Sequence, residues 1–195
     1  MSQKISKLLG LALAVGFAGA LFVSTADAAL VDCPASFVTD PTAKVTSGGS
    51  TAAFACQYVT PSDPSNVANT TNVNNAGFFG INTWEATGAL QVDQGGALSG
   101  TWSIPNVDFA AFDYIIVFKD GEGTNLVAFL LNESGSSGDW LTPFTDPPFD
   151  LPGASTAHGV SHLSIFRTVP EPGTLALLGA ALIGLAILQR RRRTA

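Results

Sequence analysis

Histidine is the residue most useful for hydrolytic or metal chemistry, and this 195-residue chain has two, His158 and His162. Ser161 and Ser164 lie beside His162, so a serine nucleophile with a histidine base is one chemistry that the residue types allow. The G-x-S-x-G elbow is absent, and two histidines four residues apart without a nearby carboxylate do not form the H-E-x-x-H zinc motif. We therefore predict no catalytic residue and no His or Cys metal site, with His162 hydrogen-bonded inside the fold.

Calcium is the metal that the oxygen-bearing side chains would suit best. Asp120, Glu122 and Asn125 fall within one predicted turn, and extracellular β-domains bind Ca²⁺ through such oxygen ligands. The D-x-[DN]-x-[DN]-G loop is absent, which favours a solvated turn. We predict no cofactor, with calcium at this turn as the weaker alternative.

The three tryptophans, Trp84, Trp102 and Trp140, could stack on sugar rings if they are exposed. A domain this rich in phenylalanine more often places tryptophan in its core, and the core interpretation is favoured. Glycan stacking remains the functional alternative for these residues.

The chain has two cysteines, Cys33 and Cys56, and no C-x-x-C motif. In an exported chain two cysteines favour one disulfide, and the missing redox spacing argues against a reactive thiol pair. We predict a Cys33–Cys56 disulfide that joins the N-terminal segment to the first strand.

Short apolar runs separated by turn-forming residues must position these side chains. No stretch between residues 29 and 168 shows a sustained helical period with caps, so we predict an all-β, antiparallel β-sandwich or jelly-roll-like ectodomain. The strands 114–119 and 124–131 are apolar on both faces and are expected to be central. Residues 60–75 are predicted to be a loop by composition. The predicted strands cover 53–59, 77–81, 84–91, 100–104, 114–119, 124–131, 138–141 and 159–166.

Simple alternation in the last of these strands places Val160, His162, Ser164 and Phe166 on one face. Ser161, Leu163 and Ile165 would then occupy the other face.

The N-terminus is typical of a secretory signal peptide. Lys4 and Lys7 precede an uncharged apolar run, and Ala26 and Ala28 supply small residues at a cleavage site before Ala29. We predict a signal peptide at 1–28, handled by the Sec translocon and signal peptidase; an uncleaved membrane anchor is the alternative.

The C-terminus has three consecutive parts. A proline motif is followed by an apolar run, predicted as a transmembrane helix over 174–189, and by a basic end that the positive-inside rule keeps cytoplasmic. The motif residues are Val169, Pro170, Glu171, Pro172 and Gly173, and the basic residues are Arg190, Arg191, Arg192 and Arg193. The sequence thus divides into a signal peptide at 1–28, an ectodomain at 29–168 and a C-terminal tail at 169–195.

This tail resembles the PEP-CTERM sorting signal of Gram-negative bacteria, on the proline motif, the single apolar helix and the terminal arginines together. The resemblance implies recognition by a membrane-embedded sorting protease of the exosortase type. That enzyme would cut at or near the proline motif and release or transfer the protein to the cell exterior. A plain C-terminal membrane anchor is the alternative.

The net charge of the predicted ectodomain limits the classes of partner that it could bind. Between residues 29 and 168 three bases, Lys44, Lys119 and Arg167, stand against 13 acids, a net charge of −10. Binding to nucleic acid needs clustered lysine and arginine, so it is excluded as a function class. We expect a non-enzymatic exported protein of the cell surface or extracellular matrix, with exopolysaccharide as a candidate partner. The alternatives are a carbohydrate-binding module of the matrix and a membrane-anchored periplasmic protein.

Overall fold

The computed structural model describes residues 30–59, 67–121, 125–149, 151, 156–169 and 182–183. The elements run in chain order as β1 (Leu30–Asp32), a 3-10 helix (Ala35–Phe37), β2 (Val45–Ser47), β3 (Ser50–Thr51), β4 (Ala53–Val59), α1 (Thr70–Ala76), a second 3-10 helix (Phe78–Gly80), β5 (Trp84–Ala86), β6 (Val92–Ala97), β7 (Ser99–Ser103), β8 (Tyr114–Asp120), β9 (Leu126–Leu131), β10 (Ser137–Leu141) and β11 (Val160–Thr168).

The strands form two antiparallel sheets packed as a sandwich, which confirms the predicted fold class. The larger sheet has the order β1-β4-β9-β8-β11-β5, and β6 also pairs with β11. The smaller sheet has the order β3-β2-β10-β7. Six of the eight predicted strands correspond to β4, β7, β8, β9, β10 and β11.

The central strands β8 and β9 are buried on both faces, as their composition predicts. Toward the smaller sheet, Phe118 and Phe129 pack edge to face with ring centroids 5.7 Å apart, and Phe118 lies 5.5 Å from the ring of Trp140. On the opposite face, Ile115, Val117, Leu126 and Ala128 form a second apolar cluster with residues of α1 and the 3-10 helix that follows it. The larger sheet is therefore the middle layer of the fold.

The predicted loop at 60–75 is wrong in its second half, where α1 covers the outer face of the larger sheet. Its polar sequence supplies the caps, since the Asn69 side chain accepts a hydrogen bond from the Asn72 N–H at 2.8 Å. Gly77 ends the helix in the left-handed region at φ 66°. Val73 is fully buried, so packing rather than propensity stabilises this short helix.

Two predicted strands before β6 are also corrected. Residues 77–81 form the second 3-10 helix, because Gly77, Phe79 and Gly80 all have positive φ. The strand predicted at 84–91 ends at Ala86, and the positive φ of Gly88 and Gln91 separates it from β6. The sequence analysis missed β1, β2, β3 and β6, which are short or largely polar.

The predicted alternation along the last strand is wrong at its start. A bulge between Val160 and His162 adds a residue to β11, which shifts the parity of the side chains that follow. Val160 consequently joins Leu163 and Ile165 in the core between the sheets, while Phe166 belongs to the outer cluster.

The predicted disulfide is confirmed. Cys33 and Cys56 are bonded with their Cα atoms 5.3 Å apart, and the Cys33 N–H donates to the Cys56 carbonyl at 2.9 Å. The bridge therefore joins the segment after β1 to β4.

We predict that the purified exported protein contains no free thiol before reduction. The double substitution Cys33→Ser and Cys56→Ser should lower the free energy of unfolding by about 3 kcal/mol, because the open chain gains conformational entropy. Thiol titration and urea unfolding measure the two outcomes. Two free thiols in the unreduced protein would contradict the bridge.

Asn74 connects α1 to β5 through two hydrogen bonds with the backbone of Trp84. Its carbonyl oxygen accepts from the Trp84 N–H at 2.7 Å, and its amide donates to the Trp84 carbonyl at 3.1 Å. We predict that Asn74→Ala lowers the free energy of unfolding by about 2 kcal/mol, because buried polar groups lose their partners. The control is Asn75→Ala on the exposed side of the same helix, which should change it by less than about 0.5 kcal/mol. Equal shifts of the urea midpoints would refute this role.

Candidate functional site

The junction with the sorting motif is held by hydrogen bonds up to Val169. The Thr168 N–H donates to the Asp113 carbonyl at 2.9 Å, and the Asp113 N–H donates to the Thr168 hydroxyl oxygen at 3.0 Å. The Val169 N–H donates to the Thr83 carbonyl at 3.0 Å. Backbone hydrogen bonds therefore fix Val169, the first residue of the proline motif.

The segment 105–113, which joins β7 to β8, supports this junction. Phe109 and Phe112 pack edge-on against Tyr114, with ring centroids 5.2 and 6.4 Å away. The Tyr114 hydroxyl oxygen accepts a hydrogen bond from the Asp108 N–H at 3.0 Å. Asp113 is thus fixed beside the end of β11. We call the surface formed by Thr83, residues 105–113, Thr168 and Val169 the exit face.

Charged side chains border the exit face. Arg167 forms an ion pair with Glu85 at 3.7 Å and lies 4.6 Å from the ring centroid of Phe112. Glu85, Asp108 and Asp113 are exposed. The described charges here comprise three acids and one base, and that base is paired.

The two ends of the ectodomain lie at opposite ends of the larger sheet. Leu30 pairs with Val59, Val59 with Leu126, Leu126 with Lys119, and Lys119 with His162, so all five lie at one end. Strand β11 runs from that end to the exit face. The residues next to the predicted signal cleavage site are therefore distant from the sorting motif.

The structure brings Ser161 and His162 together, with the serine hydroxyl bonded to backbone carbonyls. The Ser161 hydroxyl lies 3.0 and 2.9 Å from the carbonyls of Lys119 and Asp120, to which it donates, and His162 Nδ1 lies 3.1 Å from the same oxygen. Two backbone carbonyls therefore engage the Ser161 hydroxyl beside the imidazole. His158 is half-buried, and its carbonyl accepts from Thr142.

In the turn that was considered as a calcium site, the Asp120 carboxylate stabilises the backbone. The Asp120 side chain is fully buried, and one carboxylate oxygen accepts from the Asn125 N–H at 3.0 Å. Glu122 lies outside the described residues. Within the described ranges no three His, Cys, Asp or Glu side chains gather in a way that could hold a metal ion.

The candidate sugar-stacking residues are core residues. Trp84, Trp102 and Trp140 are exposed by 1%, 3% and 1%, too little for a sugar ring to stack on them. Trp102 and Trp140 donate their indole N–H groups to the carbonyls of Thr46 and Thr101. All three side chains therefore lie in the core, as the favoured interpretation predicts.

A groove of about 250 Å³ opens where the two sheets meet beside β6 and β7. Trp102, Leu163 and Ile165 contribute apolar surface to it. Its polar side chains are neutral and comprise Thr87, Gln94, Thr101 and Ser103. The sequence analysis missed this site, because its residues come from three separate segments that only the fold brings together.

The remaining predicted site residues lie outside the described part of the chain. These are Ala26, Ala28, the motif residues Pro170, Glu171, Pro172 and Gly173, and the arginines at 190–193. The predicted helix 174–189 is described only at Leu182 and Ile183, and none of the described helices is long and apolar enough to cross a membrane.

Burial lowers the pKa of Lys44, which lies 5.3 Å from the ring centroid of Phe37. This lysine is in the connection before β2 and takes no part in the exit face or the groove.

Comparison with known families identifies the tail. Residues 168–193 match the PEP-CTERM protein-sorting motif, so the chain carries this motif at its C-terminus. The motif implies export and processing by an exosortase, and the disulfide is consistent with an extracytoplasmic location. No curated protein and no solved structure matches the chain significantly.

Proposed function

We propose that the mature ectodomain is a non-enzymatic structural or interaction protein of the cell surface or extracellular matrix. Exosortase processing of the tail would deliver it there after signal peptidase has removed residues 1–28. The observation that carries this proposal is the sorting motif at residues 168–193, joined directly to a disulfide-stabilised sandwich.

The placement of the titratable groups supports a role without catalysis. Catalytic sites gather acids, bases and nucleophiles in one cleft. Here the Ser161 hydroxyl donates to backbone carbonyls and contacts His162 Nδ1, and the Asp120 carboxylate accepts from the N–H of Asn125 in a turn. The side chains named for the groove are neutral or apolar and supply no general acid or base.

The groove favours one second candidate, binding of a neutral glycan. Hydroxyl and amide side chains pair well with sugar hydroxyls. The ectodomain's charge of −10 would repel an acidic polysaccharide, which restricts this candidate to neutral chains.

We predict that the exported form begins at Ala29, lacks the four terminal arginines and is strongly acidic. In a host strain without exosortase, the protein should stay in the membrane fraction with the arginines attached. Mass spectrometry and isoelectric focusing of both fractions measure this. Pro170→Ala with Pro172→Ala should reproduce the defect, whereas Pro105→Ala in the ectodomain should not. An exported species that retains the arginines would contradict tail removal.

The glycan candidate has its own test within β7. If the groove binds a neutral polysaccharide, Ser103→Ala should weaken binding about fivefold through loss of one hydrogen bond. Ser99→Ala is the matched control, because Ser99 is exposed on the same strand and does not line the groove. Affinity for neutral polysaccharide from the host matrix is the measurement. Equal affinities for both variants would remove the groove as the site.

A further inference from the structure

The exit face is restricted to the membrane surface by a very short connection. Val169 is hydrogen-bonded to Thr83, and the predicted transmembrane helix begins at Thr174. Only residues 170–173 lie between them, and five Cα steps span at most about 17 Å of extended chain. An enzyme that binds the proline motif at the membrane surface must therefore contact the folded sandwich.

The charge of the exit face indicates what it can contact. Asp108 and Asp113 are exposed, and the nearby Arg167 is already paired with Glu85 at 3.7 Å. The face is therefore acidic, so an anionic lipid surface repels it, and a basic protein surface attracts it.

The face is also preorganised. Three backbone-linked contacts join Asp113, Thr168, Thr83 and Val169, and two phenylalanines anchor the 105–113 segment on Tyr114. Ala110 and Ala111 remain exposed in this segment. A rigid surface loses little conformational entropy on docking.

We propose that the exit face docks on a basic outward-facing surface of the membrane-embedded sorting enzyme while the tail is cut. This proposal rests on the proposed function, because it requires exosortase processing. It makes Asp108 and Asp113 recognition residues beyond the sorting motif itself.

Charge reversal in the full-length chain tests the proposal in its host. Asp113→Lys keeps the backbone contacts of residue 113 and should slow tail removal about tenfold, because it places like charges together. Asp139→Lys is the matched control, an exposed acid on β10, away from the exit face, and should be processed at the wild-type rate. Pulse–chase labelling measures the rates, and equal melting temperatures show that both variants fold.

A second variant separates docking from stability. Ten Gly and Ser residues inserted between Val169 and Pro170 release the exit face from the enzyme, so the tenfold difference between Asp113→Lys and wild type should disappear. A photo-crosslinker at Ala110 should capture the sorting enzyme, and one at Leu141, which is 51% exposed at the far end of β10, should not.

Each contrary result has a distinct meaning. Wild-type chain that is never cut contradicts the proposed function and this proposal together. Normal cutting of wild type and of Asp113→Lys at equal rates overturns the docking proposal alone. Ala110 adducts with lipid only, or a processing defect that the linker does not relieve, overturns it as well.

Discussion

Two-sided burial of β8 and β9 is the constraint on which the rest of the structure depends. A strand pair that is apolar on both faces needs cover on both sides. The smaller sheet supplies one cover through Trp102 and Trp140, and α1 with its following 3-10 helix supplies the other through Val73 and Phe78. The position of β11 beside β8, and with it the location of the exit face, follows from this central pair.

Local pattern was enough to predict the central strands, the sandwich and the disulfide. The segments 114–119 and 124–131 contain unbroken apolar runs, and two cysteines in an exported chain leave a single pairing. The helix at 70–76 could not be predicted in this way, because its polar sequence has low helix propensity. The burial of Val73, the caps and the Asn74 contacts with Trp84 stabilise it. The bulge at the start of β11 could not be predicted either. It depends on pairing with β8 and on the burial of Val160 in the core, and both are set by the tertiary structure.

The same distinction between local sequence pattern and tertiary structure applies to the functional regions. The sorting motif is contiguous, so its residue types and order are readable directly from the sequence. The exit face joins Thr83, Asp113 and Val169, and the groove joins residues from the 87–94, 101–105 and 163–165 segments. Such sites exist only in the folded chain. Isolated polar residues such as Thr83 and Thr87 form no sequence motif from which these sites could be predicted.

The place of β11 in the sheet also bears on the timing of folding. It is the last strand of the described residues, yet it lies between β8 on one side and β5 and β6 on the other. Within the described residues β5 and β6 pair with no other strand, so they have no sheet partner until β11 has crossed the membrane. Because β11 ends five residues before the predicted transmembrane helix, the sheet closes only when translocation is almost finished. With the predicted helix 174–189 as the membrane anchor, completion of the fold would nearly coincide with arrival of the sorting signal at the membrane.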